Sequence, residues 1–235
     1  GFNRNYYFTP FTAALLASVG YRCIVHGIDD MGPKHGINPY KLLDAAKKQP
    51  LLQPSKLLKD IENDDIGWAY IDQSISFPAL SALKTLRTEM VKRPLLATLE
   101  KLLQPIRTLK GNYLVTSYTH PPYKQKSLRL LQEFNNTSKF LILRGLEGSI
   151  QLALDRRTPY IIGDSYGFNQ GFLVPKEFDA RSVSLELTPP ISIDDNLKKG
   201  IDALTGIRGF ARECIIYQAQ VILSKFEFMN QKEAR

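Results

Sequence analysis

The sequence predicts an α/β fold, with a central mixed, partly parallel sheet flanked by helices. Short apolar, β-branched runs (YRCIVHG, IGWAYID, NYLVTS, KFLILRG, SIQLAL, PYIIGD, SVSLELT) alternate with segments whose leucines recur at helical spacing. Strands that alternate with helices need crossover connections, which make the sheet at least partly parallel. Thr9-Pro10 and Asn38-Pro39 each place a capping side chain before a proline at the first helical position. With 43% hydrophobic and 23% charged residues among 235, the chain has ordinary globular usage and enough length to bury a large core.

In chain order, FTAALLASVG is a buried helix stopped by Gly20, YRCIVHG a strand, and PYKLLDAAKK a second helix. SKLLKDIEN reads as a short amphipathic helix capped by Ser55, and IGWAYID as a strand. FPALSALKTLRTEMVKR reads as one helix whose Leu80, Leu83, Leu86 and Met90 form a stripe, expected to be core packing rather than a partner surface. Pro94 ends it and LLATLEKLLQ resumes helix. NYLVTS, the helix PYKQKSLRLLQEF, KFLILRG, SIQLAL, PYIIGD and SVSLELT follow, and the helices DDNLKKGIDALTG and RGFARECIIYQAQVILSKF close the chain.

Three segments are site-like. VHGIDDMGPKHGI, at the carboxyl end of a strand, combines Gly27, Gly32 and Gly36 with Lys34 and His35. Such a loop suits phosphate oxygens, although Asp29 and Asp30 repel a bare phosphate and a structural turn is an equal reading. RGLEG brings Arg144 and Glu147 to a second glycine turn, with Arg156 and Arg157 beyond it; as a hairpin it needs no function. SYTHPPYKQKSLR sets His120 ahead of a helix with Lys124, Lys126 and Arg129, a positive stripe or a solvated face.

Other classes are weakly supported. There is no GxGxxG, P-loop, GxSxG or Cys–His arrangement, which disfavours dinucleotide oxidoreductases, NTPases and triad hydrolases. Cys23 and Cys214 sit in apolar segments and read as buried reduced thiols, and the 3 histidines form no zinc spacing. No run approaches a membrane span and the start lacks signal-peptide order, so a cytoplasmic location and no membrane partner are expected. The net charge of +8 attracts polyanions without saying which.

In their order, these segments resemble glycosyl transferase family 3, the family of anthranilate phosphoribosyltransferase. FTAALLASVGYRCIVHG is similar to its helix-strand unit, GPKHGINPYKLL to its substrate loop, SFPALSALKTLRTEMVKRP to its anthranilate-side helix, KFLILRGLEG to its second motif, and RGFARECIIYQAQVIL to its final helix. The resemblance implies a nucleoside phosphorylase/phosphoribosyltransferase-like fold: an α/β domain over residues 1–76 and 105–235, and helices 77–104 contributing to a small helical domain. The family's N-terminal helices and diphosphate loop are expected to precede residue 1. It also implies phosphoribosyl pyrophosphate with Mg²⁺ as donor, and a homodimer.

Carried over residue by residue, the resemblance assigns Thr9, His26, Gly27, Lys34 and Gly36 to the donor and Arg87 to the acceptor carboxylate or another anion. Val25, Ile28 and Asp29 stand where the family has lysine, asparagine and arginine, and Tyr7 where it has asparagine. The adjacent metal-binding carboxylates fall on Ile150 and Gln151, so no metal ligand is assigned. FTP, IVHG, YTHPPY and GLEG are more similar to a bacterial branch of the family whose known members bind nucleic acid without sequence preference. That likeness places Arg93, Lys124, Lys126, Arg129 and Arg144, with Lys34 and Arg87, in a basic groove. Two readings therefore stand: phosphoribosyl or glycosyl transfer with an altered acceptor and impaired Mg²⁺ and diphosphate motifs, or a non-enzymatic nucleic-acid-binding protein on the same scaffold. No catalytic residue is assigned in either.

Overall fold

A computed structural model describes residues 2–29, 35–90, 96–109, 111–133, 137–181 and 190–228, with the backbone alone at 87 and 88. The chain divides into two compact units, Gly1–Pro94 with Leu185–Ile215, and Leu95–Ser184 with Ile216–Arg235.

In the first unit, α1 (Thr9–Ser18) contains Pro10 in its first turn and buries Phe11, Ala13, Leu16 and Ala17. It ends where Gly20, at φ 93°, lets Tyr21 N–H donate back to Leu16 O at 3.0 Å, a left-handed stop that glycine adopts without a Cβ penalty. Thr9 does not cap this helix, contrary to expectation. Phe8 holds the cap position and Thr9 is the first helical residue, so its hydroxyl makes no capping bond. β1 (Cys23–Gly27) pairs in parallel with β2 (Trp68–Asp72). Val25, Tyr70 and Ala13 form the buried cluster beneath them, with Tyr40, Leu43 and Trp68 packed against it.

Asn38 caps α2 (Pro39–Ala45) as expected, its Oδ1 accepting from Lys41 N–H at 2.9 Å. α3 (Pro54–Glu62) begins one residue before Ser55, with Gln53 at the cap position and no side-chain bond. The single helix expected over FPALSALKTLRTEMVKR is, among the described residues, two short ones, α5 (Pro78–Ser81) and α6 (Lys84–Glu89), preceded by α4 (Gln73–Ser76). Phe77, at φ −141° and ψ 66°, separates α4 from α5, and the expected helix is interrupted at residues 82–83. The interruption defeats the stripe: Leu83, Leu86 and Met90 are exposed rather than packed. α9 (Ile193–Leu204), capped by Ser192, packs on α1 and α2.

The second unit contains α7 (Leu96–Leu99), a 3₁₀ turn at Glu100–Leu102, and a four-stranded sheet in the order β3 (Tyr113–Ser117), β4 (Lys139–Leu143), β5 (Thr158–Gly163), β6 (Phe168–Leu173). β3 and β4 are parallel; β4–β5 and β5–β6 are antiparallel. Phe140, Leu141, Ile142 and Leu143 are all fully buried. An unbroken apolar run rather than an alternating one is what a strand covered on both faces requires. α8 (Pro121–Glu133) lays Leu128 and Leu131 on Phe140, Ile142 and Ile161. The division between units falls inside α10 (Phe210–Lys225).

One expectation fails in this unit and one strand goes unforeseen. SIQLAL is not a strand: residues 149–154 are irregular, and Leu152 N–H bonds the Gln218 side chain at 3.0 Å instead of a neighbouring strand. β6 is a strand that the sequence does not announce, since FNQGFL lacks an alternating apolar pattern. The strand expected at SVSLELT lies outside the described residues.

Candidate functional site

At the carboxyl ends of β1 and β2 in the first unit, Gly27 pairs with Asp72 and His26 with Ile71. A Cβ on Gly27 would make only an ordinary contact with the Tyr70 ring, at 3.4 Å. Tyr70 donates its phenol to Asp72 Oδ2 at 2.8 Å, and Asp72 Oδ1 accepts from Ser74 N–H at 2.8 Å and Ser74 Oγ at 2.6 Å. Burial and the Asp72 carboxylate push the Tyr70 phenol pKa up. Asp72 is thus buried and fully engaged as a cap for α4.

His26 is drawn down to about 4 by burial, so its imidazole is neutral near pH 7. Asp29 carries an ion pair with Lys84 at 2.7 Å, while Asn38 Nδ2 donates to Asp29 O at 2.7 Å. Asn38 therefore ties the start of the loop to the cap of α2. On the far side, Phe2 exchanges backbone bonds of 2.8 and 2.9 Å with Ile37. A Cβ on Gly36 would fall 2.3 Å from Phe2 O, so the close approach of this N-terminal segment requires glycine. Lys34 and Arg93 lie outside the described residues; Arg87 is on α6, with only its backbone described.

Ahead of α1, the aromatic residues Tyr6, Tyr7 and Phe8 are buried. Asn196, fully buried on α9, clamps Tyr7 at two points: Oδ1 accepts from Tyr7 N–H at 2.6 Å, and Nδ2 donates to Tyr7 O at 3.0 Å. Tyr6 donates its phenol to Asp195. Burial raises the Tyr7 phenol to about 12 and, with the Asp195 bond and charge, the Tyr6 phenol to about 12. These rings are packed and neutral rather than presented to a ligand.

In the second unit, the glycine turn after β4 is locked by its own backbone. Leu146 N–H donates to Gln151 O at 2.8 Å and Ser149 N–H to Leu146 O at 2.9 Å. Glu147 and Gly148 both take left-handed φ, 48° and 78°. Lys101 Nζ reaches Gly148 O at 2.5 Å, and Ser117 Oγ, at the carboxyl end of β3, donates to the same oxygen at 2.7 Å. Neither Lys101 nor Ser117 stands out in the sequence. Gln151 is buried and Ile150 half-buried. Arg144 is exposed, and its charge partly offsets the burial that raises the Tyr118 phenol.

On α8, Lys126 and Arg129 are exposed, three residues apart and so on one face. Lys124 turns toward the sheet and donates to Gln170 Oε1 on β6 at 2.8 Å. Among the described residues no cluster of three His, Cys, Asp or Glu side chains could hold a metal ion, and no helix is long and apolar enough to cross a membrane.

No protein-family model matches the chain. It is 30% identical over 158 residues to an uncharacterized protein of Aquifex aeolicus, covering 67% of this chain and 45% of that protein. Among solved structures, anthranilate phosphoribosyltransferase from Saccharomyces cerevisiae in complex with PRPP and Mg superposes with TM-score 0.75 at 16% identity, over 98% of this chain and 64% of that one. A variant of the yeast enzyme with Mg bound gives 0.76 at 14% identity, over 99% and 63%. The fold is that of anthranilate phosphoribosyltransferase. At these identities the likeness is one of fold, and this chain spans less than two thirds of the yeast enzyme and under half of the Aquifex protein.

At residues 150 and 151, where the family resemblance expects the metal ligands, the side chains present do not fit a magnesium ion. Isoleucine and an amide offer no anionic oxygen to a hard divalent cation, and the Gln151 main chain is already committed, with its N–H on Ser149 Oγ and its carbonyl on Leu146 N–H.

The depressed His26 has a measurable consequence. Between pH 6.5 and about 4 the unfolded chain takes up a proton that the folded one refuses. Its contribution is therefore complete above pH 6.5 and lost as pH falls toward 4, on the order of 2 kcal/mol. Urea midpoints at pH 7.5 and 4.5 should fall less in His26→Asn than in the native protein; an equal fall would place the proton uptake elsewhere.

Proposed function

We propose that this chain belongs to a phosphoribosyltransferase-like protein that binds a sugar phosphate at the ends of β1 and β2 without metal-assisted transfer of its own. The observation that carries the proposal is the chemistry at residues 150 and 151. A leaving pyrophosphate develops charge that enzymes of this kind neutralise with Mg²⁺, and Ile150 and Gln151 provide no ligand for it. What remains suits recognition. Gly27 and Gly36 are assigned to the donor, neutral His26 supplies a donor and an acceptor, and Lys34 and Arg87 are the cations assigned to the anion. Residues 77–104 are assigned to a small helical domain in this reading, and the protein to a homodimer.

Calorimetry with phosphoribosyl pyrophosphate, with and without Mg²⁺, tests it. Binding is expected to be unchanged by the metal, with no pyrophosphate released against a panel of aromatic acids and bases. Metal-dependent turnover would overturn the proposal.

A second reading, sequence-independent nucleic-acid binding, is favoured by the outward pair Lys126 and Arg129 on α8 in a chain of net charge +8. Neutralising backbone phosphates with such cations supplies most non-specific affinity. Arg93, Lys124 and Arg144 are assigned to the same groove.

A further inference from the structure

We infer that the face of β6 bearing Phe168, Gln170 and Phe172 is a stacking surface for a single-stranded nucleic acid, an inference that rests on the nucleic-acid reading above. In the antiparallel register these residues lie opposite Gly163, Ile161 and Pro159, and opposed residues project to the same side of a sheet. Ile161 is buried beneath α8 with Leu128 and Leu131, so this is the face that α8 covers. The cover stops short of β6. Phe168 and Phe172 remain 45% and 50% exposed, and Tyr166, in the turn before the strand, 97%.

One cation lies against these rings, and two more stand on α8. The Arg157 guanidinium lies 4.2 Å from the centre of the Phe172 ring, and Lys124 is held over the strand by its bond to Gln170. Lys126 sits 5.5 Å from the Tyr123 ring on α8. The nearby carboxylates are occupied: Asp155 pairs with Arg156 at 3.3 Å, and Asp164 accepts from Tyr166 N–H and Gly167 N–H at 2.8 and 3.0 Å.

This pattern selects the occupant. An apolar protein surface would have to strip water from Arg157 and Lys124 without repaying them. A nucleotide offers a π-face to phenylalanine and a phosphate to arginine or lysine at once, and stacking tolerates any base.

The test is fluorescence anisotropy of a labelled oligothymidylate with the full chain across a salt series, beside an abasic oligomer of equal length. The double variant Phe168→Ser/Phe172→Ser is expected to lose roughly tenfold to a hundredfold in affinity, with the slope of log K against log salt unchanged, because no phosphate contact is removed. Lys126→Glu/Arg129→Glu should instead flatten that slope. The native protein should prefer oligothymidylate to the abasic strand, a comparison that stands even if the double variant does not fold. Equal binding of the two strands, or unaltered affinity in a folded double variant, would overturn the stacking site while leaving the nucleic-acid reading intact. Absence of salt-sensitive binding by the native protein would overturn both. A change of oligomeric state in the variant without loss of affinity would reassign the face to a second copy of the chain.

Discussion

Replacing Asn196 with leucine is expected to destabilise the protein by about 3–5 kcal/mol, a large share of the roughly 5–15 kcal/mol that separates a domain from its unfolded state. The branched four-atom skeleton is kept, and what is removed is polar. Tyr7 N–H and Tyr7 O both bond to this one fully buried amide, and each is left buried without that bond when the amide goes. Asp195→Asn is the control. It retains an acceptor for the Tyr6 phenol on the exposed side of the same helix and should change stability by less than about 1 kcal/mol. Urea unfolding of both variants, followed by tyrosine fluorescence and far-UV circular dichroism, makes the comparison. Similar small losses in both would mean that Tyr7 is held by its ring packing alone.

Gly145→Ala is expected to be as damaging, for a different reason. The added methyl would lie 2.1 Å from Ser149 O and 2.7 Å from Gln151 O, and both are main-chain atoms of a turn held by its own hydrogen bonds, so no side chain can swing aside. Gly145 has an ordinary φ of −78°; the requirement is space rather than dihedral freedom. Overpacking against backbone should cost about 3 kcal/mol or force the turn open. Ser149→Ala, which removes only the hydroxyl bonds to Leu146 O and Gln151 N–H, should cost about 1 kcal/mol. Denaturant unfolding of the two variants checks the order; a Gly145→Ala protein as stable as the native one would mean that the turn widens at little cost.

Sequence made the local chemistry legible and left the tertiary chemistry hidden. α2 was readable because its cap and proline lie within two residues of each other, and Asn38 does what the pattern implies. The same pattern misled at Thr9, because the buried rings of Tyr6, Tyr7 and Phe8 set where the first turn begins. β6 was invisible because its exposed, mixed sequence has no face that must be apolar. Residues 149–154 imitate a strand, yet the partner of Leu152 is a side chain 66 positions away.

The site divides in the same way. His26 and Gly27 were readable as agreeing with the pattern of the family the sequence resembles, and Ile150 and Gln151 as departing from it. Lys101 and Ser117 were not, since they meet Gly148 across 47 and 31 positions. The Asp72 carboxylate had one usable signal, its place at the end of a strand whose carboxyl edge was already suspect.

The clamp on Tyr7 also orders events in time. Its two halves are 189 positions apart, so a ribosome adding about 5–20 residues per second makes Asn196 roughly 10–40 s after Tyr7. Until then the main chain at Tyr7 lacks the amide that holds it, whereas β3 to β6 have all been made by residue 173. The clamp on Tyr7 thus closes only after the whole of the β3–β6 sheet has been synthesised, and a nascent chain halted before residue 196 should leave Tyr6, Tyr7 and Phe8 open to chaperones and proteases.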